Sequence, residues 1–455
     1  MNDYFSCLLI AALSLLISAP LPAEENDWQV GLARVKITPS EPVRMAGYAS
    51  RKEPSHGVAS DLYAKALAIE DGRGHRAVLI TTDVLGFAAA IAEPTCQKII
   101  DQTGLSRNQI LLNSSHTHTG PTLSLDESAL DFPEDQARAT VLYTRGLQQK
   151  LVELASSSLQ QLEPAELSWG VGVATFPMNR REFTERGVIL GVNPRGLCDR
   201  SVPVLRISKP DGSLRAVLFG AACHNTTLGG RDMNISGDFA GYAQTRIERS
   251  FKGAQAMFMQ GCAGDANPFP RGTEQIARLH GAALGEEVIR VLKTDLQPVQ
   301  GPLRSELQPV AMPLVSGLSR AEIEAFGKKP GGWRGFVTGK MTEVLDSGGQ
   351  LPTDYTSLIA VWQFGQDLTL VALPGEVVVD YVALLEKALG PRKLWIAAYS
   401  NDVYGYLPSA RVLDEGGYET RGLYAGSVGL FSPHAQDVVV QRVREIAEAA
   451  GRNGR

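Results

Sequence analysis

The chain has 455 residues, of which 44% are hydrophobic and 20% charged, and its formal net charge is −5. This composition is typical of a globular protein with a large core and excludes an intrinsically disordered chain. The charged residues form no basic stripe that could neutralise phosphates, so nucleic acid is not expected as a partner.

The N-terminus contains an apolar run from Leu8 to Ile17, followed by small residues and an acidic segment. This order is typical of a secretory signal peptide, so we expect residues 1–23 to be removed and the mature chain to be secreted or periplasmic. Asp3 and the lack of Lys and Arg before the run leave an uncleaved anchor as the alternative. No segment reaches the length of about 20 apolar residues that spans a bilayer, so no transmembrane segment is expected in the mature chain.

Short apolar runs alternate with helical patterns along the rest of the chain. Continuous apolar runs are typical of strands buried on both faces, and apolar spacings of three and four residues indicate helices. The predicted class is therefore α/β, with mixed β-sheets flanked by helices. The runs are residues 76–86, 109–115, 214–224, 254–262, 368–376 and 393–402, and the helical stretches are residues 136–158, 240–251, 274–293, 377–389 and 435–449.

Two segments interrupt this alternation. Residues 294–306 are the most linker-like stretch, and the polar, Gly-rich residues 318–350 are predicted to form a surface excursion. Neither clearly separates two cores. We therefore predict a single domain over residues 24–455.

The predicted mature chain contains four cysteines: Cys96, Cys198, Cys223 and Cys262. An even count permits disulfides outside the cytosol without requiring them, and no pair has the CxxC spacing of metal ligands. We predict that Cys223 and Cys262, at the ends of apolar runs, are small buried hydrophobic residues. The pairing of Cys198 stays open.

Polar side chains follow five of the apolar runs, and ligands of α/β proteins bind beyond the carboxyl ends of strands. Two imidazoles, a carboxylate and an open position are what a catalytic zinc requires. A bound Zn²⁺ lowers the pKa of its water to about 7 and polarises a carbonyl. The candidates for such a site are His116, His118, His224, Asp265, Asn267, Glu376, Asn401, Tyr404 and Tyr406.

Each candidate also has a purely structural interpretation. His116 and His118 can hold their loop by hydrogen bonds, and His224 can be a hydrogen-bonded core histidine. Glu376 can lie at the start of a helix, where the dipole favours a carboxylate, and the tyrosines can be packing residues with a satisfied hydroxyl. The other histidines lack a comparable setting, so we predict structural or surface roles for His56, His75, His280 and His434.

Several short motifs occur in a fixed order between about residues 29 and 450. They are "MAGYA" with "GVASDLYAKALAIED", "SSHTHTGP", "MNRRE", "ISGDFAGYA", "LPGE" and "NDVYGYLPSARVLDEGGYE". In type and order they resemble the motifs of the neutral, non-lysosomal ceramidases, zinc amidases that cut the N-acyl bond of ceramide. The resemblance implies the catalytic-domain fold of that family.

The resemblance also implies a role for individual residues. It implies that zinc is bound by His116, His224, Glu376 and Tyr406. His118 would then be a proton donor or oxyanion partner of the substrate. Arg180 and Tyr418, which the pattern of strand ends does not single out, would hydrogen-bond the scissile carbonyl or the head group.

The chain departs from the family pattern at "QGCAGDANPFPRG", residues 260–272, where Asn267 replaces the family serine. Asparagine cannot attack as an alkoxide, so a covalent serine mechanism is excluded at this position. Attack by zinc-activated water survives the change, and Asn267 can still donate a hydrogen bond to an oxyanion. We also expect no C-terminal immunoglobulin-like domain after residues 435–449, and no apolar hairpin or amphipathic basic helix that would seat the protein on a bilayer.

Three functions are compatible with these residues. The first is a secreted zinc-dependent hydrolase that cleaves the N-acyl bond of ceramide or a related lipid. The second is a zinc hydrolase of a soluble N-acyl sugar, a glycoside or an ester, and the third is a catalytically inactive binding homologue. All three predict a small-molecule or lipid ligand, and none determines the oligomeric state.

Overall fold

The computed structural model of the protein describes residues 28–328 and 332–453. The predicted signal peptide, residues 1–23, lies outside the described residues. Strands and helices alternate along the chain, which confirms the predicted α/β class with mixed sheets flanked by helices.

The described residues form the following elements. The strands are β1 Trp28–Lys36, β2 Gly57–Val58, β3 Tyr63–Glu70, β4 Arg76–Thr82, β5 Ile110–Ser114, β6 Glu163–Val173, β7 Pro177–Asn179, β8 Arg181–Thr184, β9 Gly187–Leu190, β10 Ser201–Ser208, β11 Leu214–Ala221, β12 Asn234–Ile235, β13 Gln255–Gln260, β14 Ala266–Pro268, β15 Gln297–Val299, β16 Leu303–Pro313, β17 Asp354–Phe364, β18 Leu368–Ala372, β19 Glu376–Val377, β20 Leu394–Ala397 and β21 Tyr406–Leu407. The helices are α1 Ala89–Thr103, α2 Glu134–Gln160, α3 Asp238–Ser250, α4 Glu274–Val291, α5 Arg320–Lys328, α6 Gly332–Asp346, α7 Asp380–Leu389, α8 Ala410–Glu415 and α9 His434–Ala449, and short 3₁₀ helices span Arg107–Gln109 and Tyr418–Thr420.

Two large sheets organise the described residues. The first has nine strands in the order β13-β11-β10-β6-β1-β3-β4-β5, with β15 beside β6, and the second has the order β16-β17-β18-β20. Three neighbouring pairs are parallel, namely β4–β5, β11–β13 and β18–β20, and the remaining pairs of the two sheets are antiparallel. The carboxyl ends of these parallel pairs precede the polar residues predicted to form a site.

The two sheets pack face to face between outer layers of helices. Trp28 and Trp169 of the first sheet and Trp362 of the second belong to one buried apolar cluster between the sheets. Helices α1 and α2 cover one half of the first sheet and α3 and α4 the other, while α7 and α9 cover the second sheet. The sequence pattern follows from these layers, since central strands buried on both faces have continuous apolar runs.

The structure shows what the two interrupting segments form. Residues 318–350 contain helices α5 and α6, packed on each other around Ile323, Val337 and Met341, so the predicted excursion is helical. Residues 294–306 contain β15 and the start of β16, and they connect the first sheet to the second.

All four cysteines of the described residues have free thiols. Cys223 and Cys262 are buried, as predicted, and Cys198 has no disulfide partner. Within the described ranges, no helix has both the length and the apolar character needed to cross a membrane.

Candidate metal centre and substrate cavities

The histidines of the candidate site follow strands whose carboxyl ends converge. His116 lies two residues after β5, and His224 lies three residues after β11. The side chain of Gln260, at the end of β13, donates hydrogen bonds to the carbonyls of Ser115 and Cys223 at 3.0 and 2.8 Å. These carbonyls directly precede the two histidines, so one buried amide ties both loops together. The sequence did not single out Gln260.

The side chains of these loops meet in one buried cluster. Nε2 of His116 lies 3.0 Å from Nε2 of His118 and 3.2 Å from Oε2 of Glu376. Nε2 of His224 lies 2.9 Å from the same carboxylate oxygen. His116, with φ of 61°, has a left-handed backbone conformation that is uncommon outside glycine and that aims its ring into the cluster.

The tautomers of two rings follow from their backbone partners. Nδ1 of His116 donates to the carbonyl of Leu85, and Nδ1 of His224 donates to the carbonyl of Ala263, both at 2.6 Å. A carbonyl can only accept, so Nδ1 of each ring carries a proton, and Nε2 is the nitrogen that points into the cluster. Burial, reinforced by the charge of Arg180, lowers the pKa of His224 to about 3, which keeps that ring neutral.

The cluster therefore has the electrostatics of a cation site. Burial alone would raise the pKa of the Glu376 carboxyl, but the neighbouring imidazoles hold it well below its usual value, so Glu376 is ionised. Nε2 of His116 and Nε2 of His224 both face one oxygen of this carboxylate. Nitrogen and oxygen donors gathered in this way suit zinc, which would be held between them.

Three imidazoles could bind a metal in this structure. The ring nitrogens of His116, His118 and His224 all lie within 4.8 Å of one another. The sequence-based set included His116 and His224 with Glu376, and it gave His118 a different role. The structure brings His116, His118, His224 and Glu376 together. A set of metal ligands that includes His118 is therefore the alternative to the set predicted from sequence.

Tyr406 lies beside Glu376 because β21 pairs in parallel with β19, with these two residues in register. Nη2 of Arg180 donates to the Tyr406 hydroxyl at 3.0 Å. The other Glu376 oxygen accepts a hydrogen bond from the hydroxyl of Tyr424. Tyr424 lies outside the sequence motif that ends at Glu419 and was not predicted.

Arg180 is buried in a network that the sequence predicted only in part. Its Nε donates to Glu419 Oε1 at 2.9 Å, and Arg181 Nη1 donates to the other oxygen of Glu419 at 2.7 Å. Nη1 of Arg180 donates to Asn267 Oδ1 at 3.3 Å. Arg180 therefore orients Tyr406 and Asn267, and Glu419 balances the charge of two arginines.

The amide of Asn267 is oriented by its neighbours. Its Oδ1 accepts from Arg180 and from the Thr226 hydroxyl at 3.2 Å. Because both partners donate to this oxygen, the Asn267 NH₂ group is left as a donor at the wall of a cavity. This NH₂ group is the one expected from the sequence to contact an oxyanion.

Three other candidates have structural roles. Asp265 accepts from the backbone N–H of Val379 at 2.8 Å, and Asn401 accepts from that of Leu112 at 3.2 Å. Tyr404 is buried in the core of the second sheet. Their structural interpretations therefore apply.

Two cavities meet at the cluster. The first, of about 400 Å³, reaches His116 and Glu376, and the second, of about 530 Å³, reaches Asn267 and Arg180. Both are lined by Gly47, Tyr48, His118, Tyr406 and Tyr418. Gly47, with φ of 92°, allows this junction, because a Cβ there would lie 2.5 Å from Cγ of His118.

A hairpin with exposed apolar side chains stands beside the second cavity, and whether it contacts a bilayer stays a separate prediction. Strands β8 and β9 pair antiparallel, and they expose Phe183, Ile189 and Leu190 by 60%, 45% and 48%. Leu190 lines the cavity together with Phe269, which is 47% exposed. The cluster is therefore approached across an apolar surface.

The fold and the buried cluster define an α/β protein with a candidate metal centre at the carboxyl ends of its strands. The family model for the N-terminal region of the neutral/alkaline non-lysosomal ceramidases matches residues 28–277, more than half of the chain. The chain belongs to this family, which confirms the resemblance seen in its motifs.

Individual relatives agree with this assignment. The chain is similar to the neutral ceramidase of Pseudomonas aeruginosa, with 25% identity over 283 residues, and to neutral ceramidase A of Dictyostelium discoideum, with 24% identity over 273 residues. These alignments cover 58% and 55% of this chain but only 40% and 37% of the relatives. The crystal structure of the Pseudomonas neutral ceramidase shares the fold, with a TM-score of 0.69 at 20% identity over 94% of this chain and 75% of that one.

Proposed function

We propose that the protein is a zinc-dependent hydrolase that cleaves the N-acyl bond of ceramide or a related N-acyl lipid. The observation that carries this proposal is the buried cluster in which two imidazoles, each fixed through Nδ1 by a backbone carbonyl, face an ionised carboxylate at the junction of two cavities. Membership of the ceramidase family supports the reaction type.

His116, His224, Glu376 and Tyr406 would hold the metal. A bound zinc ion supplies a Lewis acid that polarises the scissile carbonyl and lowers the pKa of water. Its protein donors are prepared for this task, since backbone carbonyls fix two imidazole tautomers and Tyr424 fixes one carboxylate oxygen. Partners of this kind orient ligands and raise their basicity.

We assign proton transfer to His118. Burial, and then the neighbouring imidazoles, hold the pKa of His118 well below its usual value. A neutral imidazole of this kind releases a proton readily once it has taken one up, which suits transfer to the leaving nitrogen. Its Nδ1 is buried and has no hydrogen-bond partner, so the ring has an unused polar atom beside the centre.

His118→Ala is expected to keep the metal and to lower kcat by about 10²-fold, the lower end of the usual effect of general acid–base groups. Metal content by mass spectrometry and steady-state kinetics check both parts. His280→Ala is the control, since that ring bonds to the carbonyl of Pro270 outside the cluster. If His118→Ala loses the metal, His118 is a metal ligand, and its assignment to proton transfer is refuted.

Tyr418, Asn267 and Arg180 would stabilise the oxyanion of the substrate. The Tyr418 hydroxyl accepts a hydrogen bond from Arg421, which leaves its own proton to donate. Asn267 offers its NH₂ group, because its carbonyl oxygen already accepts from Arg180. Donors aimed at developing negative charge are the largest single contribution in many hydrolases.

Asn267→Ala is expected to lower kcat by about 10²-fold with unchanged metal content, as for loss of one oxyanion donor. Thr226→Val is the matched control, because it removes the hydrogen bond to Asn267 Oδ1 without removing the NH₂ donor. If kcat falls to the same level in both variants, the cause is the lost orientation of the Asn267 side chain rather than the lost NH₂ donor.

The direct test is release of fatty acid from ceramide presented in detergent micelles, with wild type beside His116→Ala. Release by wild type that is lost in the variant supports the proposal. No release by wild type with zinc bound would refute ceramide hydrolysis, and activity on soluble N-acyl sugars would then favour the second candidate function. Binding without any turnover would favour an inactive homologue.

We further propose that residues 24–455 act as one unit and are exported. The candidate centre takes His116 and His224 from loops of the first sheet and Glu376 from the end of the second, so both sheets are needed to form it. The apolar run before residue 24 supports export.

A further inference from the structure

The two cavities that meet at the candidate metal centre have different chemistry. Met178, Leu190, Val192 and Phe269 give the second cavity an apolar wall. The first cavity is cationic. Its charged residues are Arg44, Arg51, Lys52, Arg421, Asp131 and Glu376.

The cationic groups of the first cavity are not neutralised by ion pairs. None of Arg44, Arg51, Lys52 and Arg421 forms a salt bridge with a carboxylate among the described residues. Glu376 is engaged by His116, His224 and Tyr424, which leaves Asp131 as the other carboxylate on the wall. A concave surface with such an excess of one sign focuses a positive potential on its interior.

Arg421 has unused donors in this cavity. Its Nη1 donates to the Tyr418 hydroxyl, and its guanidinium lies 4.7 and 4.5 Å from the ring centroids of Tyr418 and Tyr424. Its Nε is buried and has no hydrogen-bond partner. A buried N–H without an acceptor is costly, and the planar guanidinium fork matches carboxylate and phosphate oxygens.

Backbone carbonyls occupy the Nη donors of the arginines deeper in the wall, and Arg51 Nε, like Arg421 Nε, has no hydrogen-bond partner. Arg51 donates to the carbonyls of Ala46 and Asp232, each at 2.9 Å, and Arg44 donates to the carbonyl of Arg51 at 3.1 Å. Arg421 therefore combines a positive surrounding field with donors for which the protein supplies no acceptor.

We propose that the preferred substrate is an N-acyl compound whose amine half carries an anionic group, the class represented by N-acyl amino acids. The acyl chain lies in the apolar cavity, and the anion binds Arg421 in the cationic cavity. This inference rests on the proposed amide hydrolysis, of which it names the substrate class. Water adds its oxygen to the acyl carbon, the C–N bond breaks and the nitrogen takes up a proton, which gives a fatty acid and an amino acid.

The kinetic test uses two substrates that differ only in charge, N-octanoylglycine and N-octanoylglycinamide. We expect wild type to favour the acid by about tenfold or more in kcat/KM, the size of a charge-assisted hydrogen bond. Arg421→Gln should lower the preference for the acid over the amide in kcat/KM by about tenfold, and any loss common to both substrates reports the support that Arg421 gives to Tyr418. Arg290→Gln, an exposed arginine on α4, is the control and should change kcat/KM for neither substrate.

Equal kcat/KM for both substrates in wild type would overturn the proposal. An equal loss on both in Arg421→Gln would also overturn it, since Arg421 would then only support the tyrosines. If Arg421→Gln does not fold, the wild-type preference and the exposed Lys52→Gln variant still decide. Lys52→Gln should lower the preference for the acid by a smaller factor, because it removes one charge from the rim.

A binding measurement separates this inference from the proposed function. The ketones 4-oxoundecanoate and 4-oxoundecanamide have the shape of the two substrates, but a methylene group replaces the nitrogen of the scissile N-acyl bond. Calorimetry on the metal-loaded protein should show about tenfold tighter binding of the acid. Tighter binding of the acid without hydrolysis of any amide would refute the hydrolase proposal and keep the anion site. Ceramide hydrolysis without preference for the acid would support the hydrolase proposal and refute the anion site.

Discussion

Glu376→Gln is expected to lower turnover by about 10⁴-fold, the largest loss among the single substitutions considered. The carboxylate is buried between His116 and His224, with oxygen-to-nitrogen distances of 3.2 and 2.9 Å. Glutamine keeps the shape but supplies no negative charge, and one of its groups presents N–H donors where a cation should bind. Metal catalysis contributes several kcal/mol, and each 1.4 kcal/mol corresponds to a tenfold change in rate.

Tyr424→Phe provides the matched control. It removes the hydrogen bond to the second oxygen of Glu376 but leaves the charge of the carboxylate. Partners of this kind typically affect metal affinity or activity by about 10- to 100-fold, so the loss should be clearly smaller than in Glu376→Gln. Full activity in Glu376→Gln, measured with zinc in excess, would contradict the assignment of Glu376.

Glu419→Gln is expected to lower the free energy of unfolding by about 3–5 kcal/mol, as measured by urea denaturation. The carboxylate accepts hydrogen bonds from Arg180 and Arg181 at 2.9 and 2.7 Å, and all three side chains are buried. Removing one charge of a buried ion cluster leaves the others uncompensated, which is strongly destabilising. A catalytic defect is also expected, because Arg180 orients Tyr406 and Asn267.

The control for this prediction is Glu415→Gln. Glu415 also pairs with Arg181, at 3.0 Å, but its side chain is 20% exposed and water can replace the lost charge. We expect a cost of about 1 kcal/mol or less. Equal destabilisation by the two substitutions would mean that burial does not decide the strength of this network.

The strands predicted from sequence are those of the parallel pairs. All six apolar runs contain a strand of β4–β5, β11–β13 or β18–β20. These strands are buried on both faces, so their sequences are continuously apolar. Strands such as β1, β6 and β16 have one solvated face, and their mixed sequences gave no continuous run.

Other strands contain polar residues, so they lack the continuous apolar run by which strands were predicted. Lys65 interrupts β3, although it is buried, because its ammonium group pairs with Glu248 at 2.6 Å. Helix α1 also escaped prediction, and it contains Pro94 in its first turns. Tertiary partners satisfy these residues, and a single segment of sequence does not reveal such partners.

Those residues of the candidate site that follow the carboxyl ends of strands were predictable from the sequence. His116, His118, His224 and Glu376 were selected by that rule, and the structure brings them together. Gln260, Glu419 and Tyr424 were missed, because their importance comes from hydrogen bonds to residues far away in the chain. Ordinary polar residues of this kind become recognisable only when the fold places their partners.

Metal content per chain tests the central claim most directly. Mass spectrometry on purified wild type, beside His116→Ala and His224→Ala, should give about one zinc per wild-type chain and none in either variant. Circular dichroism would establish that the variants are folded. A wild-type protein that holds no stoichiometric metal even after zinc is supplied, or variants that hold as much as wild type, would contradict the assignment of the buried cluster as a metal centre.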